Sequence, residues 1–511
     1  MTRRRKILIT VVVLIILVAI VPVIHHFQLR AARNAYLTEL KAKGEPIELA
    51  MIVPSPTPPE QNSAGTFRKA AELFKTHPTL LTTNYSYGGM KMVAPGEAET
   101  ITRQPDLRDD TGTNSWREFQ VAVGQNKEAF ALLHQIIRKP NFDFGVHYEK
   151  GIGNLDYTNL NLAGAKAVVM RLGTAVLSDL HEGDAAAATE NLRTMIAIAN
   201  ATGAERLEIS ELVRLALVAI SLSDTWEILQ ASQVTDQQLA ALQNDWANLE
   251  FFNSMESAFE LERASMLITV NEWRGLNSEF SRQLLDSSRI TWTSVPELSA
   301  LDRLKIESRV FRWRYWWSYP DEIRLLKAGQ LMLEALRAAQ TNDALFSIQS
   351  ELQSNVTILS IPTNEDTYFW FSDPRNVNLH FALSQSIELL PKTFGRVTKI
   401  ETSRRMVVAA IALKRYHLKH GGFPPNLASL TPDLLSEVPR DPIDGQPLRY
   451  RLNADGTFLL YSIGDDGKDN GGDPTPSEGT KSIQWQRGRD WVWPQPASVE
   501  EIRKFYENPP K

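Results

Sequence analysis

The chain has 511 residues, of which 43% are hydrophobic and 23% are charged, an ordinary composition for a protein of two or three folded domains. It contains no cysteine, which excludes disulfides, thiolate zinc sites and cysteine nucleophiles. The formal net charge of -5 includes four basic residues at the N-terminus, so the remainder is more acidic still. Because binding to nucleic acid needs a basic surface, no nucleic-acid partner is expected.

An uncharged apolar segment, residues 7–24, follows the basic run at residues 3–6. As a helix it would be roughly 27 Å long, close to the thickness of the hydrocarbon core of a bilayer. A cleaved signal peptide is the alternative, but the apolar run is long for one and no small-x-small cleavage pattern follows it. We therefore predict an uncleaved, single-pass transmembrane helix at 7–24, with residues 1–6 as a cytoplasmic tail and the rest of the chain exported.

Residues 25–62 connect this apolar segment to the body of the protein. The pattern from Gln28 to Lys43 is typical of a polar helix that ends at the following Gly44. Residues 51–62 then contain four prolines, which favour an extended conformation. The sequence thus predicts a juxtamembrane helix and a short, stiff spacer.

From 63 to 392 the pattern is mainly helical. Apolar residues spaced three and four positions apart predict an amphipathic helix over 162–180. A second helix is predicted to begin after an N-cap at Asp184. A third run, 209–229, is apolar nearly all round, and the Thr-x-x-Gln motif at Thr235 is a capping box that begins a fourth helix. These paired helices loosely resemble tetratricopeptide-type hairpins. Because no clean 34-residue period is present, an irregular all-helical domain is the simpler interpretation and a short repeat array the alternative.

One aromatic-rich stretch, RVFRWRYWWSYPDE at Arg309–Glu322, has two interpretations. It is compatible with a membrane-interface belt or a platform on which sugars stack, because an indole has a large apolar face and a polar edge. The alternative, which the helical spacing of the aromatic residues favours, is that Trp313, Trp316 and Trp317 pack against neighbouring helices while the arginines face water.

The C-terminal part, residues 393–511, has a different character. A helix ends at the glycine pair 421–422 and is followed by two strand-like segments, 448–452 and 457–463. The Asn-Ala-Asp-Gly sequence between them is a strong hairpin turn signal. The sequence therefore predicts a small α+β module that ends with an acidic, glycine-rich loop.

This ordered set of elements resembles the C-terminal half of the major pseudopilin of type II secretion. The matching motifs, in chain order, are Tyr416 with G-G-F-P at 421–424, V-P-R-D-P at 438–442, D-G-x-P-x-x-Y at 444–450 and Y-S-x-G-x-D-G at 461–467. The chain departs from that family in having no prepilin leader and in carrying the module after a long helical region. It is therefore not expected to polymerise as a pilus subunit. The resemblance implies a bacterial protein of the inner (cytoplasmic) membrane with an exported body.

In the family that this module resembles, the loop after the hairpin binds calcium. Calcium takes six to eight oxygen ligands, and glycines let the backbone turn its carbonyl groups inward. The resemblance implies calcium ligands at Asp466, Asp469 and Asp473, with Asp465 as the next candidate. A solvated turn without metal is the alternative. The loop matches neither an EF-hand nor a phosphate-binding P-loop.

Catalytic motifs are missing from the sequence: no HExxH, GxSxG, Ser-x-x-Lys or GxxxxGK[ST] occurs. The strongest cluster of acid/base groups is FDFGVHYEKG at Phe142–Gly151, for which an ordered loop packed on helices is the simpler interpretation. We therefore expect a non-catalytic, membrane-anchored interaction or scaffold protein with unknown protein partners, with a link to secretion and with a calcium-stabilised C-terminal module. The alternative is an envelope protein that binds polysaccharide or acts on glycosides, using the tryptophans near Trp313 and a carboxylate pair.

Overall fold

The computed structural model describes residues 3–76, 90–109, 112–151, 160–275, 299–360, 379–476 and 484–508. The protein is mainly helical and has a small sheet component, as the sequence predicts.

The first helix, α1 (Arg3–Ala42), includes both the apolar segment at 7–24 and the polar helix predicted after it. Gly44, with a φ of +78°, follows the end of the helix. In the part of the chain that the structure describes, no helix is long and apolar enough to cross a membrane. The side chains at 6–19 and 22 lie outside the described residues, so the transmembrane helix stays a prediction.

The proline-containing segment after α1 lies against the body. Ile52 is buried in a small apolar cluster with Tyr148 and Leu261. The backbone N–H of Thr57 donates to the carboxylate of Asp143 at 2.9 Å. The prolines favour an extended backbone, while the apolar side chain at 52 gives this segment a position on the surface of the helical region.

Short helices and strands form the next part of the chain. The helices are α2 (Ala64–Thr76), α3 (Trp116–Gln125) and α4 (Lys127–His134). The strands β1 (Met92–Ala94) and β2 (Glu97–Ala98) pair antiparallel, as do β3 (Leu107–Asp109) and β4 (Gly112–Asn114). A capping box at Ser115 begins α3, because its hydroxyl and the Glu118 side chain satisfy each other's backbone N–H groups.

The four helices predicted from apolar spacing are confirmed. They are α5 (Leu162–Glu182), α6 (Ala185–Thr202), α7 (Glu208–Gln230) and α8 (Asp236–Ala247). The side chain of Asp184 accepts the backbone N–H of Ala187 and so caps α6, and Thr235 forms the capping box of α8. Helix α7 is buried over most of its length, in agreement with its nearly continuous apolar sequence.

A second set of helices follows. It consists of α9 (Phe252–Gly275), α10 (Ala300–Arg312), a π-helical turn (Trp313–Trp317), α11 (Ser318–Thr341) and α12 (Leu345–Leu359). Helix α11 packs along α9 and against the C-terminal half of α1.

One long helix, α13 (Leu379–His420), joins the helical region to the C-terminal part. Position 393, where the sequence changes character, lies inside this helix, which also contains Pro391. Helix α13 packs against α7, α8, α11 and α12. One apolar core extends from Ala64 in α2 to Trp493 near the C-terminus, so the two parts share their interior.

The predicted hairpin is confirmed as β5 (Arg449–Leu452) and β6 (Phe458–Ile463), joined by a turn in which Gly456 has a φ of +84°. A third strand, β7 (Asp490–Val492), pairs antiparallel with β6. The next strand, β8 (Gln495–Pro496), pairs with β2 far away in sequence. The last helix is α14 (Val499–Glu507). Neither β7 nor β8 is expected from the sequence pattern.

Candidate functional site

The acidic loop after β6 is held together mainly by bonds between its aspartates and its own backbone. Asp466 accepts the N–H of Lys468 at 2.9 Å, and Asp473 accepts the N–H of Thr475 at 3.0 Å. Hydrogen bonds to the residue two positions ahead are the ordinary behaviour of aspartate in turns. The hydrogen bonds from Thr475 lower the pKa of Asp473, so this carboxylate stays charged at neutral pH.

The other two predicted calcium ligands have different surroundings. Asp469 accepts the N–H of Gly471 at 2.9 Å and the hydroxyl of Tyr461 at 3.0 Å, and its pKa is lowered first by the Gly471 bond. Asp465 uses its backbone N–H to bind the carbonyl of Gly488 at 3.1 Å, where the loop meets the segment before β7.

A buried aspartate that no sequence motif indicates, Asp490, binds the backbone of this loop. Asp490, in β7, accepts the backbone N–H groups of Gly472 at 2.7 Å, Asp473 at 2.9 Å and Asn470 at 3.3 Å. Burial raises the pKa of Asp490, although these three hydrogen bonds oppose that effect. The long separation between Asp490 and the loop explains why no local motif points to it.

A second buried aspartate, Asp441, joins the V-P-R-D-P motif to the hairpin. It accepts the N–H of Ile463 at 2.9 Å and the hydroxyl of Ser462 at 2.8 Å. The guanidinium of Arg449 lies 2.9 Å from the same carboxylate. Burial raises the pKa of Asp441 to about 6 despite these bonds. These contacts hold β5 and β6 in position, so the role of Asp441 is structural.

A calcium ion requires six to eight oxygen ligands around one point. Among the residues that the structure describes, no three acidic or histidine side chains are grouped so as to hold a metal ion. The carboxylates of Asp469 and Asp473 lie 3.3 Å and 3.2 Å from the guanidinium groups of Arg449 and Arg489, which would repel a cation. The four predicted ligands therefore do not fit a calcium ion in this arrangement, and the calcium site stays a prediction.

The acid/base cluster at Phe142–Gly151 is engaged in packing. The buried hydroxyl of Tyr148 donates to the carboxylate of Glu205 at 2.8 Å, and Asp143 binds the backbone N–H groups of Thr57 and Gly145. These bonds satisfy the polar groups of an ordered loop on the helices.

A pair of carboxyl groups meets between α7 and α9. The backbone N–H of Glu208 donates to Oε1 of Glu262 at 2.9 Å, which brings the two side chains together. The hydroxyl of Thr393, in α13, donates to Glu208 at 3.2 Å. Burial raises the pKa of both glutamates, and the charge of Glu208 raises that of Glu262 further.

This carboxyl pair borders a cavity of about 300 Å³ between α9, α11 and α13. Its walls are mostly apolar, and the main side chains are Phe259, Met266, Val270, Trp273, Leu325 and Leu390. Gly329 is also in the wall, and a Cβ atom added there would meet no other atom within 4 Å. An apolar cavity with a few converging polar groups is the usual form of a small-molecule site.

The aromatic stretch divides into a buried and an exposed part. Trp313 is buried against Trp273, and its indole N–H donates to Asp321 at 2.9 Å. Trp316 and Trp317 remain 37% and 48% exposed, so the expectation that all three tryptophans are packed is corrected. The physical reason is that neighbouring helices cover one side of this segment and leave the other side open.

We call the four exposed aromatic residues of this segment, Phe311, Tyr315, Trp316 and Trp317, the aromatic patch. It lies beside α1, where the ring of His26 is 5.4 Å from that of Tyr315. The residues of α1 next to His26 are also exposed and apolar: Ile20, Val21, Val23, Ile24 and Phe27. The aromatic patch and the apolar part of α1 therefore adjoin each other.

Ion pairs attach α1 and the residues after it to the body. Arg33 binds the fully buried Glu322 of α11 at 2.8 Å. Glu45 binds Arg263 at 2.9 Å and Arg337 at 2.6 Å. Burial raises the pKa of Glu45, but hydrogen bonds from Arg337, Gln330 and Arg263 outweigh it and lower the pKa to about 2. The direction in which α1 leaves the body is thus set by buried charges.

Two other cavities occur in the described part of the chain. One, of about 530 Å³, is lined by His134 and Arg193, and the other, of about 590 Å³, by Lys399 and Asp465. None of the three cavities is lined by the tryptophans at 313, 316 and 317. A cleft that combines Trp313, Trp316 or Trp317 with a carboxylate pair would favour a glycoside-acting enzyme, and none of these cavities combines them.

Comparison of the chain with protein-family models, with curated protein sequences and with solved structures found no match.

Proposed function

We propose that this chain is a non-catalytic interaction or scaffold protein of the bacterial envelope, anchored in the inner membrane by α1 with its body exported. The tetratricopeptide-like hairpins and the pseudopilin-like C-terminal module belong to the same proposal. Stacked helices offer extended surfaces for protein partners, and the pseudopilin resemblance suggests a setting linked to secretion. Calcium is left out of the proposal because, among the described residues, no group of three acidic or histidine side chains could hold a metal ion.

The observation that supports this proposal is the continuity of apolar surface between α1 and the aromatic patch. His26 of α1 contacts Tyr315, and exposed apolar side chains lie on both sides of this contact. Large exposed apolar surfaces are unfavourable in water and mark sites that another phase or partner covers. Tryptophan and tyrosine are enriched where membrane meets water. A bilayer around the apolar segment of α1 would place the patch at that level.

The excess of basic residues near the aromatic patch favours contact with a lipid surface that carries anionic head groups. Residues 299–317 contain five basic and two acidic residues. Basic side chains close to a bilayer are attracted by anionic lipid head groups, and long arginine side chains can keep their charge in the head-group region. Because Arg33 and Glu45 hold α1 to the body, the patch keeps a constant position relative to α1.

Tryptophan fluorescence of the full-length chain in vesicles tests this proposal. Lipids brominated near the head group should quench part of the emission, and the double variant Trp316→Phe with Trp317→Phe should lose that quenched part. Trp246→Phe is the matched control, since Trp246 is fully buried in the body. Release of the chain from membranes by alkaline carbonate would argue against the anchor, and quenching that is unchanged in the double variant would argue against the patch.

A polysaccharide-binding protein is the second candidate, since exposed indole rings such as those of Trp316 and Trp317 can stack on sugars. Sedimentation of the full-length chain in nanodiscs with peptidoglycan distinguishes the candidates. Binding that the double variant abolishes would favour this second function. Equal sedimentation of the two proteins would leave the membrane interface as the role of the patch.

A further inference from the structure

We infer that the cavity between α9, α11 and α13 is a binding site for a small amphiphile, a short apolar chain that ends in a protonated amine. The amine would be held by Glu208 and Glu262, and the chain would lie along the apolar wall. This inference is independent of membrane anchoring and of the aromatic patch.

The shape and lining of the cavity define the apolar part of the ligand. Helices α9, α11 and α13 form most of the wall and Glu208 at the start of α7 completes it, and the volume of about 300 Å³ lies at the lower end of the range for small-molecule sites. A single short chain matches that volume, whereas a two-chain lipid exceeds it. Trp273, Phe259 and Leu390 supply wall surface that gains free energy when it is covered by another apolar group.

The carboxyl pair defines the head group. Two carboxyl groups at an apolar wall cost free energy unless a donor or a cation compensates them. A protonated amine carries one positive charge and three N–H donors, enough to bind both glutamates. A carboxylate ligand would be repelled, and an alcohol has only one donor.

Two arginines affect the charge balance of this pair. Against the raising effect of burial, the charge of Arg396, in α13, lowers the pKa of Glu208. The other arginine, Arg263, is bound mainly by groups outside the pair, and its Nε–H has no hydrogen-bond partner among the described residues.

Arg263 also lines the cavity, but its guanidinium binds Gln330 at 2.7 Å, Glu45 at 2.9 Å and the carbonyl of Pro46 at 3.1 Å. It therefore compensates Glu45 on the other side of the helix packing. Glu262 lies in the protein interior, but part of its surface is accessible to solvent, as expected of a side chain that lines a cavity.

Calorimetric titration of the full-length chain in nanodiscs tests the inference, with empty nanodiscs as the blank. Hexylamine, hexanoate and hexan-1-ol have the same chain and differ in the head group. We expect saturable binding of hexylamine, and binding at least tenfold weaker for the other two. Equal affinity for hexan-1-ol, preference for hexanoate, or no binding of hexylamine would overturn the inference.

Two variants locate the site. Gly329→Leu should fill the cavity without a clash and abolish the binding of hexylamine, whereas Gly124→Leu in α3, where a Cβ would also meet nothing within 4 Å, should leave it unchanged. Glu262→Gln should weaken binding at least tenfold, and Glu190→Gln, at an exposed position on α6, should not. Because Gly329→Leu adds a helix-favouring residue, it should fold, and binding that survives in it would place the ligand elsewhere.

Discussion

The acidic loop at 461–476 and the pair of Glu208 and Glu262 use the same chemical group in opposite ways. In the loop, neighbouring aspartates such as Asp466 and Asp473 bind backbone N–H groups two residues away and lie close to water. The two glutamates are far apart in sequence and meet beside an apolar cavity, where burial raises the pKa of both. The comparison teaches that a local density of carboxylates in a sequence is satisfied locally, whereas a buried site forms from carboxylates that only packing brings together.

The largest effect is expected at Asp441, which is fully buried beneath the hairpin. Asp441→Ala removes an acceptor from two backbone N–H groups and leaves Arg449 without its buried partner. We expect a loss of about 3 to 5 kcal/mol in the free energy of unfolding, measured by denaturant titration. Asp455→Ala, in the exposed hairpin turn, is the control and should cost much less. A small loss of stability in Asp441→Ala, similar to that in Asp455→Ala, would mean that a buried aspartate contributes no more to stability in this region than one in an exposed turn.

The next effect concerns Asp490, which supports the loop from β7. Asp490→Ala leaves the N–H groups of Asn470, Gly472 and Asp473 without their acceptor. We expect a loss of about 2 kcal/mol and faster amide exchange at these three positions, measured by hydrogen exchange. Unchanged exchange would show that the loop keeps its conformation through its own aspartates alone.

Glu262→Gln should change stability in the opposite direction. The folded-state pKa of Glu262 is raised above its unfolded value, so ionisation disfavours the folded state as pH rises above the unfolded pKa. The variant should therefore unfold a few degrees higher than the parent at pH 8 and at the same temperature at pH 4, measured by thermal unfolding at both values. A variant that is less stable than the parent at pH 8 would contradict a raised pKa of Glu262 in the folded protein.

The smallest effect is expected for calcium. Since no three acidic or histidine side chains of the described residues are grouped so that they could hold a metal ion, adding calcium in place of a chelator should leave the midpoint of thermal unfolding within about 1 °C. A rise of several degrees, abolished by Asp466→Ala with Asp469→Ala, would instead establish the calcium site that the pseudopilin resemblance implies. That result would also show that the loop rearranges around the ion.

Much of the fold follows from local patterns. Helices α5 to α8, the caps at Asp184 and Thr235 and the hairpin of β5 and β6 agree with the sequence prediction, because each depends on residues within a few positions. The strands β7 and β8 do not have such a signal. The three residues of β7 and the two of β8 form strands because they pair with the edges of β6 and β2. Between them, the carbonyl of Pro494 accepts the indole N–H of Trp226, which attaches this segment to α7.

The candidate sites also differ in how much of each is visible in the sequence. The aromatic stretch and the acidic loop are visible in the sequence, but the exposure of Trp316 and the burial of Trp313 depend on which side other helices cover. The pair of Glu208 and Glu262 has no sequence signal, since each glutamate alone is an ordinary residue near a helix terminus or on a helix face.

The sequence by itself therefore determined the helical class, the helix boundaries set by caps and glycines, the hairpin and the presence of an acidic loop. All of these depend on interactions over a few residues, whose energies are nearly independent of the rest of the chain. Tertiary structure alone decided that α13 continues through position 393, that Asp490 holds the loop and that Glu208 meets Glu262 at a cavity. These features arise from burial, which depends on the packing of segments distant in sequence.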